Sequence, residues 1–170
     1  MTKNPSETKS ELVNSEVQEY LYLRQQRRGL FPLAALIGLS AGVVAVLFRG
    51  ALAGADTLRN FLITQAHGQP IWGWIFPMIY GAGGAVISLA LVRRYAPETN
   101  GSGIPHLEAV LQRIRNLEWS RVLPIKFIAG LLAIGGGLVL GREGPTVQMG
   151  AAVAKFLSEV LRVPPKASPR

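Results

Sequence analysis

Two long apolar runs set the pattern along this chain. Residues 30–48 form a stretch of 19 without a charge, and residues 71–92 a second of 22. At 1.5 Å per residue, either run crosses the roughly 30 Å of a bilayer's hydrocarbon. A domain of 170 residues does not bury two helices on every face, so the pattern predicts membrane spans rather than core helices. Residues 119–140 are apolar and Gly-rich with Lys126 inside, which predicts a third span, tilted or partly buried. The apolar run 106–111 is too short to cross. Residues 146–161 are amphipathic. The expected fold class is all-α, a polytopic integral membrane protein with broken and re-entrant helices.

The flanks are polar. In residues 1–29, Glu7, Glu11, Glu16 and Glu19 nearly balance Lys3, Lys9, Arg24, Arg27 and Arg28. Val13, Val17, Tyr20 and Leu21 share one helical face, so a short amphipathic helix at the membrane surface is expected. Ala51-Leu52-Ala53 has the small-x-small form of a signal-peptide cleavage site. The polar leader and the apolar run are both too long for a secretory signal. Residues 162–170 hold three prolines and no apolar run. Three regions follow: a cytoplasmic segment 1–29, membrane helices 30–161 and a polar tail 162–170.

Charge refines the topology. The formal net charge is +8, and the basic residues lie beside the apolar runs. Arg24, Arg27 and Arg28 precede the first; Arg93 and Arg94 end the second. Arg113, Arg115, Arg121 and Lys126 outweigh Glu98, Glu108 and Glu118 in the next segment. Positive residues collect on the cytoplasmic side, so the N-terminus is cytoplasmic, the near-neutral loop to Pro70 is outside, and nucleic acid is not needed to explain the charge. Localisation is then multi-pass in a plasma or inner membrane. Absence of cysteine excludes a disulfide framework. Gly38/Gly42 and Gly50/Gly54 are small-xxx-small pairs expected to let helices approach closely, and Gly135-Gly136-Gly137 permits the same in the third span.

Two interruptions carry the candidate chemistry. Residues 127–141 and 144–154 have no charge, yet Arg142 and Glu143 stand between them, where charge is expensive. Glycines flank that pair and Pro145 opens the amphipathic run, which is how a chain breaks and restarts as a helix. Gly101-Ser102-Gly103-Ile104-Pro105 has the same form ahead of the short run. Helix starts expose unpaired N–H groups and partial positive charge, which suit an anion. Two half-helices aimed at one place are how transporters hold substrate at mid-membrane.

At these residues the sequence resembles the N-terminal part of the CLC family of chloride channels and chloride/proton antiporters. The likeness rests on Gly101-Ser102-Gly103-Ile104-Pro105, on Gly141-Arg142-Glu143-Gly144-Pro145, and on Arg94-Tyr95-Ala96-Pro97-Glu98 and Leu123-Pro124-Ile125-Lys126-Phe127. It covers about residues 20–162. It implies part of the first of two inverted repeats in a homodimeric fold, with chloride as transported ligand, protons as the antiporters' second substrate, the lipid bilayer as surroundings, and no cofactor or metal. Ser102 would offer its hydroxyl to a central chloride, with backbone of 101–104 lining the inner approach. Backbone N–H groups of 142–144 would hold an outer anion. Glu143 would be the gate and proton-transfer group, a tethered anion that competes with chloride and swings away when protonated. The family fold is far longer than 170 residues. The chain is therefore expected to be a truncated portion that does not conduct alone.

Other residues have blander readings. His106 is expected at the surface or as a cap, His67 in the outside loop without metal-ligand neighbours, and Glu108 with Lys126 as a buried structural pair, the alternative being that they contribute to the field at the inner mouth. Gly38-Leu39-Ser40-Ala41-Gly42 matches a nucleophile elbow, giving the rival reading of an intramembrane serine hydrolase using Ser40. That motif needs a strand-to-helix turn, whereas here it lies inside a continuous apolar run. A third reading is a non-transporting membrane fragment that associates with intact relatives.

Overall fold

The apolar pattern resolves into helices. A computed structural model describes residues 5–162, and the side chains of 31–162 apart from Ile71. The helices are α1 (Pro5–His67), α2 (Ile75–Tyr95), α3 (Ile104–Leu111), α4 (Trp119–Gly135) and α5 (Glu143–Val160), with 3₁₀ turns at Ile71–Trp74 and Pro97–Thr99. No strand occurs among the described residues. The chain forms two units, Met1–Gly38 and Leu39–Arg170. The first holds the N-terminal stretch of α1. The side chains of the expected amphipathic face, Val13, Val17, Tyr20 and Leu21, and residues 163–170 of the polar tail lie outside what the structure describes.

The second unit holds everything that follows. Its packing centre is Phe48, Leu52, Ile134 and Met149, with Val44, Leu123, Phe127 and Leu131 packed against it. Phe48 and Phe127 meet edge to face at 5.3 Å, a favoured aromatic geometry. A second cluster, Leu117, Val122 and Ala152, joins α4 to α5. Nearby, Trp119 Nε1 donates to Glu159 Oε2 at 2.7 Å.

Stretches of α1 (Phe31–His67) and of the second span (Trp72–Tyr95) are long and apolar enough to cross a membrane, and almost none of either is buried within the chain. Trp72, Phe76, Met78, Ile79 and Val86 are all exposed. A helix apolar all round and uncovered by its own chain needs apolar surroundings.

Three expectations need correction. The first span does not give way to a loop at residue 49: α1 runs on to His67. The polar residues there, Asp56 and Arg59, are an i,i+3 ion pair at 3.1 Å on its surface, and no proline intervenes before Pro70. The helix therefore tolerates a few charges that resemble loop composition. Second, α5 begins at Glu143 rather than at Pro145, so Pro145 falls at the third helical position, where its missing N–H is still no loss. Third, leaving aside the helix's own nearby backbone, no described atom of the chain lies within 4 Å of a Cβ built at Gly38, Gly42, Gly50 or Gly54, so these pairs make no close approach within the chain.

Close approach is served elsewhere. A Cβ on Gly84 would sit 2.6 Å from the Leu132 carbonyl oxygen, and one on Gly135 at 2.6 Å from Ala55 Cβ. The α2–α4 crossing therefore depends on Gly84. Gly84→Ala should destabilise the folded chain by about 1–3 kcal/mol through overpacking, while Gly42→Ala should stay within about 0.5 kcal/mol. Denaturant unfolding in detergent micelles, followed by Trp fluorescence, checks the contrast.

Candidate anion site

Both interruptions become helix starts. Gly103 caps α3 with φ +77°, in the left-handed region that glycine enters freely. It also lies against the fully buried Gln148, whose side chain would collide with any Cβ there. Pro105 sits in the first turn of α3. On the other side, Arg142 caps α5, and Glu143 is the acid of its first turn. The segment between α4 and α5, residues 136–142, is irregular, with Gly137 at φ +101°.

The two starts touch. A Cβ on Gly144 would lie 2.7 Å from the Ser102 carbonyl oxygen and 2.9 Å from its Cα. Only a glycine lets the backbone of α5 come that near to the 101–103 loop. Around this contact lies a cavity of about 690 Å³, lined by Gly101, Ser102, Ile104, Gly141, Glu143, Gly144 and Pro145 together with α2 and α4 residues such as Ser88, Lys126 and Ala133. Seven of the ten candidate residues thus share one space. Gly103, Pro105 and Arg142 are not in its wall. Ser102 and Glu143 are exposed, Glu143 at the electropositive end of an 18-residue helix.

Lys126 is the site's fixed cation. Its buried Nζ donates to the carbonyl oxygens of Thr99 and Gly101, each at 2.7 Å. Charge-assisted bonds of this kind are the stronger class, and they hold the 99–101 backbone next to Ser102. The expected pairing with Glu108 is not what forms: Glu108 is exposed, and the carbonyls take its place. Carbonyl oxygens at a broken helix need donors as much as a carboxylate does.

Further placements differ from the sequence reading. His106 is buried rather than at the surface, with Nδ1 lacking a partner. Arg142 turns its guanidinium to Asp56 at 3.4 Å. Gln148 donates from Nε2 to the Glu98 carbonyl at 3.1 Å, fastening the 3₁₀ turn to α5. A lone uncharged polar residue among Pro145, Met149 and Ala152 on one helix face was the available signal for it. Asp56 had only its i,i+3 spacing to Arg59. His67 lies in α1, not in a loop; its Nδ1 is 2.8 Å from the Ile63 carbonyl, and its ring stacks edge-on against Trp74 at 4.8 Å. Ser40 lies within continuous α1, so the strand-to-helix turn its motif requires is not formed there.

The family model for voltage gated chloride channels matches residues 83–169, just over half of the chain. The chain belongs to this family. Among curated members, it is 42% identical over 131 residues to the H(+)/Cl(-) exchange transporter ClcA of Vibrio vulnificus, covering 77% of this chain and 28% of that protein. It is 39% identical over 130 residues to ClcA of Citrobacter koseri, covering 76% and 28%. A crystal structure of a slow cyanobacterial Cl⁻/H⁺ antiporter superposes with a TM-score of 0.72 at 35% identity, covering 75% of this chain and 30% of that one. The fold is thus the all-helical membrane fold of the family, and the chain spans between a quarter and a third of the length of these members.

Two substitutions probe the site's construction. Gly144→Ala should separate α5 from the Ser102 loop and destabilise the chain by about 1–3 kcal/mol. Lys126→Met should cost about 1.5–3 kcal/mol by removing charge-assisted bonds and should raise amide exchange in the 99–103 segment. Hydrogen exchange read by mass spectrometry measures both.

Proposed function

We propose that this chain supplies one wall of a chloride pathway, in a protein that exchanges chloride for protons across a membrane. The observation that carries the reading is the single cavity shared by Ser102 and Glu143, at the abutting starts of α3 and α5. An anion there meets backbone N–H groups that a helix start leaves unpaired and the Ser102 hydroxyl. The ten residues of the two motifs, Gly101 to Pro105 and Gly141 to Pro145, build this surroundings. Glu143 competes with the anion as a tethered carboxylate. Protonation removes its charge and frees the place, so anion occupancy and proton uptake at Glu143 are linked. A unit charge moving through the full membrane field changes energy by about 2.3 kcal/mol per 100 mV, enough to couple this step to voltage.

On this reading the chain acts within a homodimer in the lipid bilayer, without cofactor and without covalent chemistry. Its N-terminus is cytoplasmic. Arg93 and Arg94 in the last turn of α2 support that orientation through the positive-inside bias. Residues 1–29, 30–161 and 162–170 form its surface segment, membrane part and tail. Alone, the chain should not conduct, because helix starts facing an unclosed cavity leave a polar wall against lipid.

The test is a chimera in which this chain replaces the matching segment of a ClcA relative. Chloride efflux from liposomes should be present with the chimera and absent with the 170-residue chain alone. Glu143→Gln should remove the pH dependence of the efflux, and Ser102→Ala should weaken chloride binding by about tenfold, the size of one hydrogen bond to a charged group. Retained pH dependence in Glu143→Gln would sink the reading.

A further inference from the structure

Glu143 follows an irregular segment, and a helix N-terminus at the end of a loose connection is only as well placed as that connection. Residues 136–142 have no regular structure, and Val139 is fully exposed. The segment's backbone is tied to α4 where Leu138 N–H donates to the Ala133 carbonyl at 3.1 Å, and to α5 where Thr146 Oγ1 donates to the Arg142 carbonyl at 2.8 Å; the side-chain restraint from outside comes from α1. Asp56 Oδ1 accepts from Arg59 Nη1 at 3.1 Å, and Asp56 Oδ2 lies 3.4 Å from Arg142 Nη2. The Arg59 stem lies against Gly137, with Cδ 3.4 Å from where a Cβ would be. Just before it, Gly135 abuts Ala55. One turn of α1 thus meets the chain just before the segment, at the segment's second residue and at its end.

We propose that Asp56 is a positioning residue for Glu143: its carboxylate, shared between Arg59 and Arg142, fastens the 136–142 segment to α1 and so fixes where α5 begins. Nothing in the ion pair with Arg59 alone requires this, since an i,i+3 pair on a helix surface is satisfied locally. The second oxygen reaching Arg142, 86 residues away in sequence, is what ties the residue before α5 to α1. Asp56 is the better-covered partner, its side chain 28% exposed against 56% for Arg142, so the tie is anchored on α1. Its functional meaning rests on Glu143 acting as the mobile anion; its test does not.

The chain has no cysteine, so Glu143→Cys introduces its sole thiol. The rate at which a neutral methanethiosulfonate modifies that thiol in the full chain reads how the start of α5 is held, with no transport required. Adding Asp56→Asn should raise the rate by about threefold or more, the scale of a partly exposed ion pair, and Arg142→Gln should raise it equally. Combining the two should give no more than either alone. Asp56→Glu, which keeps the charge, should stay near the parent rate. The proposal is overturned if Asp56→Asn leaves the rate unchanged. It is equally overturned if Asp56→Asn and Arg142→Gln act additively, because a field effect of the Asp56 charge on the thiol persists without Arg142 and a tether does not. Failure of the chloride reading shows separately, in the pH dependence of Glu143→Gln efflux.

Discussion

The site depends on one backbone contact, Ser102 against the absent side chain of Gly144. Two helix starts carry like partial charges at their tips, so bringing them together is unfavourable unless something negative lies between or beside them. Here the starts meet at the wall of a shared cavity, and Glu143 stands at one of them. The glycine is what makes the approach sterically possible, and the acid is what makes it electrostatically tolerable. An anion in the cavity would serve the second purpose equally well. On the proposed function, that equivalence is the physical content of a gate made from a side chain.

Each start is held by a different part of the fold. The Ser102 loop is fixed from below by Lys126, through the Thr99 and Gly101 carbonyls, and from the side by Gln148 against Gly103 and toward the Glu98 carbonyl. At the α5 start, Thr146 Oγ1 donates to the Arg142 carbonyl within the helix itself. Restraint from outside the helix comes from α1, through the contacts of Ala55, Asp56 and Arg59. The continuation of α1 past residue 48 is therefore more than extra length. The membrane run delivers the helix, and the turn beyond it reaches the segment that sets Glu143.

Much of this was legible because glycine and proline punctuate the chain where its helices break. Gly103 with Pro105, and Gly141 with Gly144 and Pro145, marked both starts to within two residues. The apolar runs at 30–48 and 71–92 gave the helices that find no cover within the chain. Illegible was whatever depended on which side chain meets which. Asp56 and Arg59 look like a loop in one dimension, yet on a helix they pair and the third dimension brings in Arg142. Lys126 and Glu108 look like partners by charge, yet a broken helix offers carbonyls that compete for the ammonium. The paired glycines of α1 look like a packing face, yet within the chain the tight crossings use Gly84, for α2 on α4, and Gly135, for α4 on α1. Periodicity says that a face is narrow; it does not name the neighbour.

Lys126 shows how the remaining charge is settled. An ammonium has three donors, and two are directed at backbone carbonyls, which supply dipoles but no countercharge. Burying a cation on dipoles alone is costly. A neutral donor could hold the same two carbonyls at lower cost, so the positive charge itself needs a role. Lys126 and Glu143 line the same cavity, one basic and one acidic. On the proposed function, a Glu143 that turns away leaves that positive wall uncompensated, and a small anion entering from solution restores the balance. The cation that organises the loop thus also biases what replaces the carboxylate.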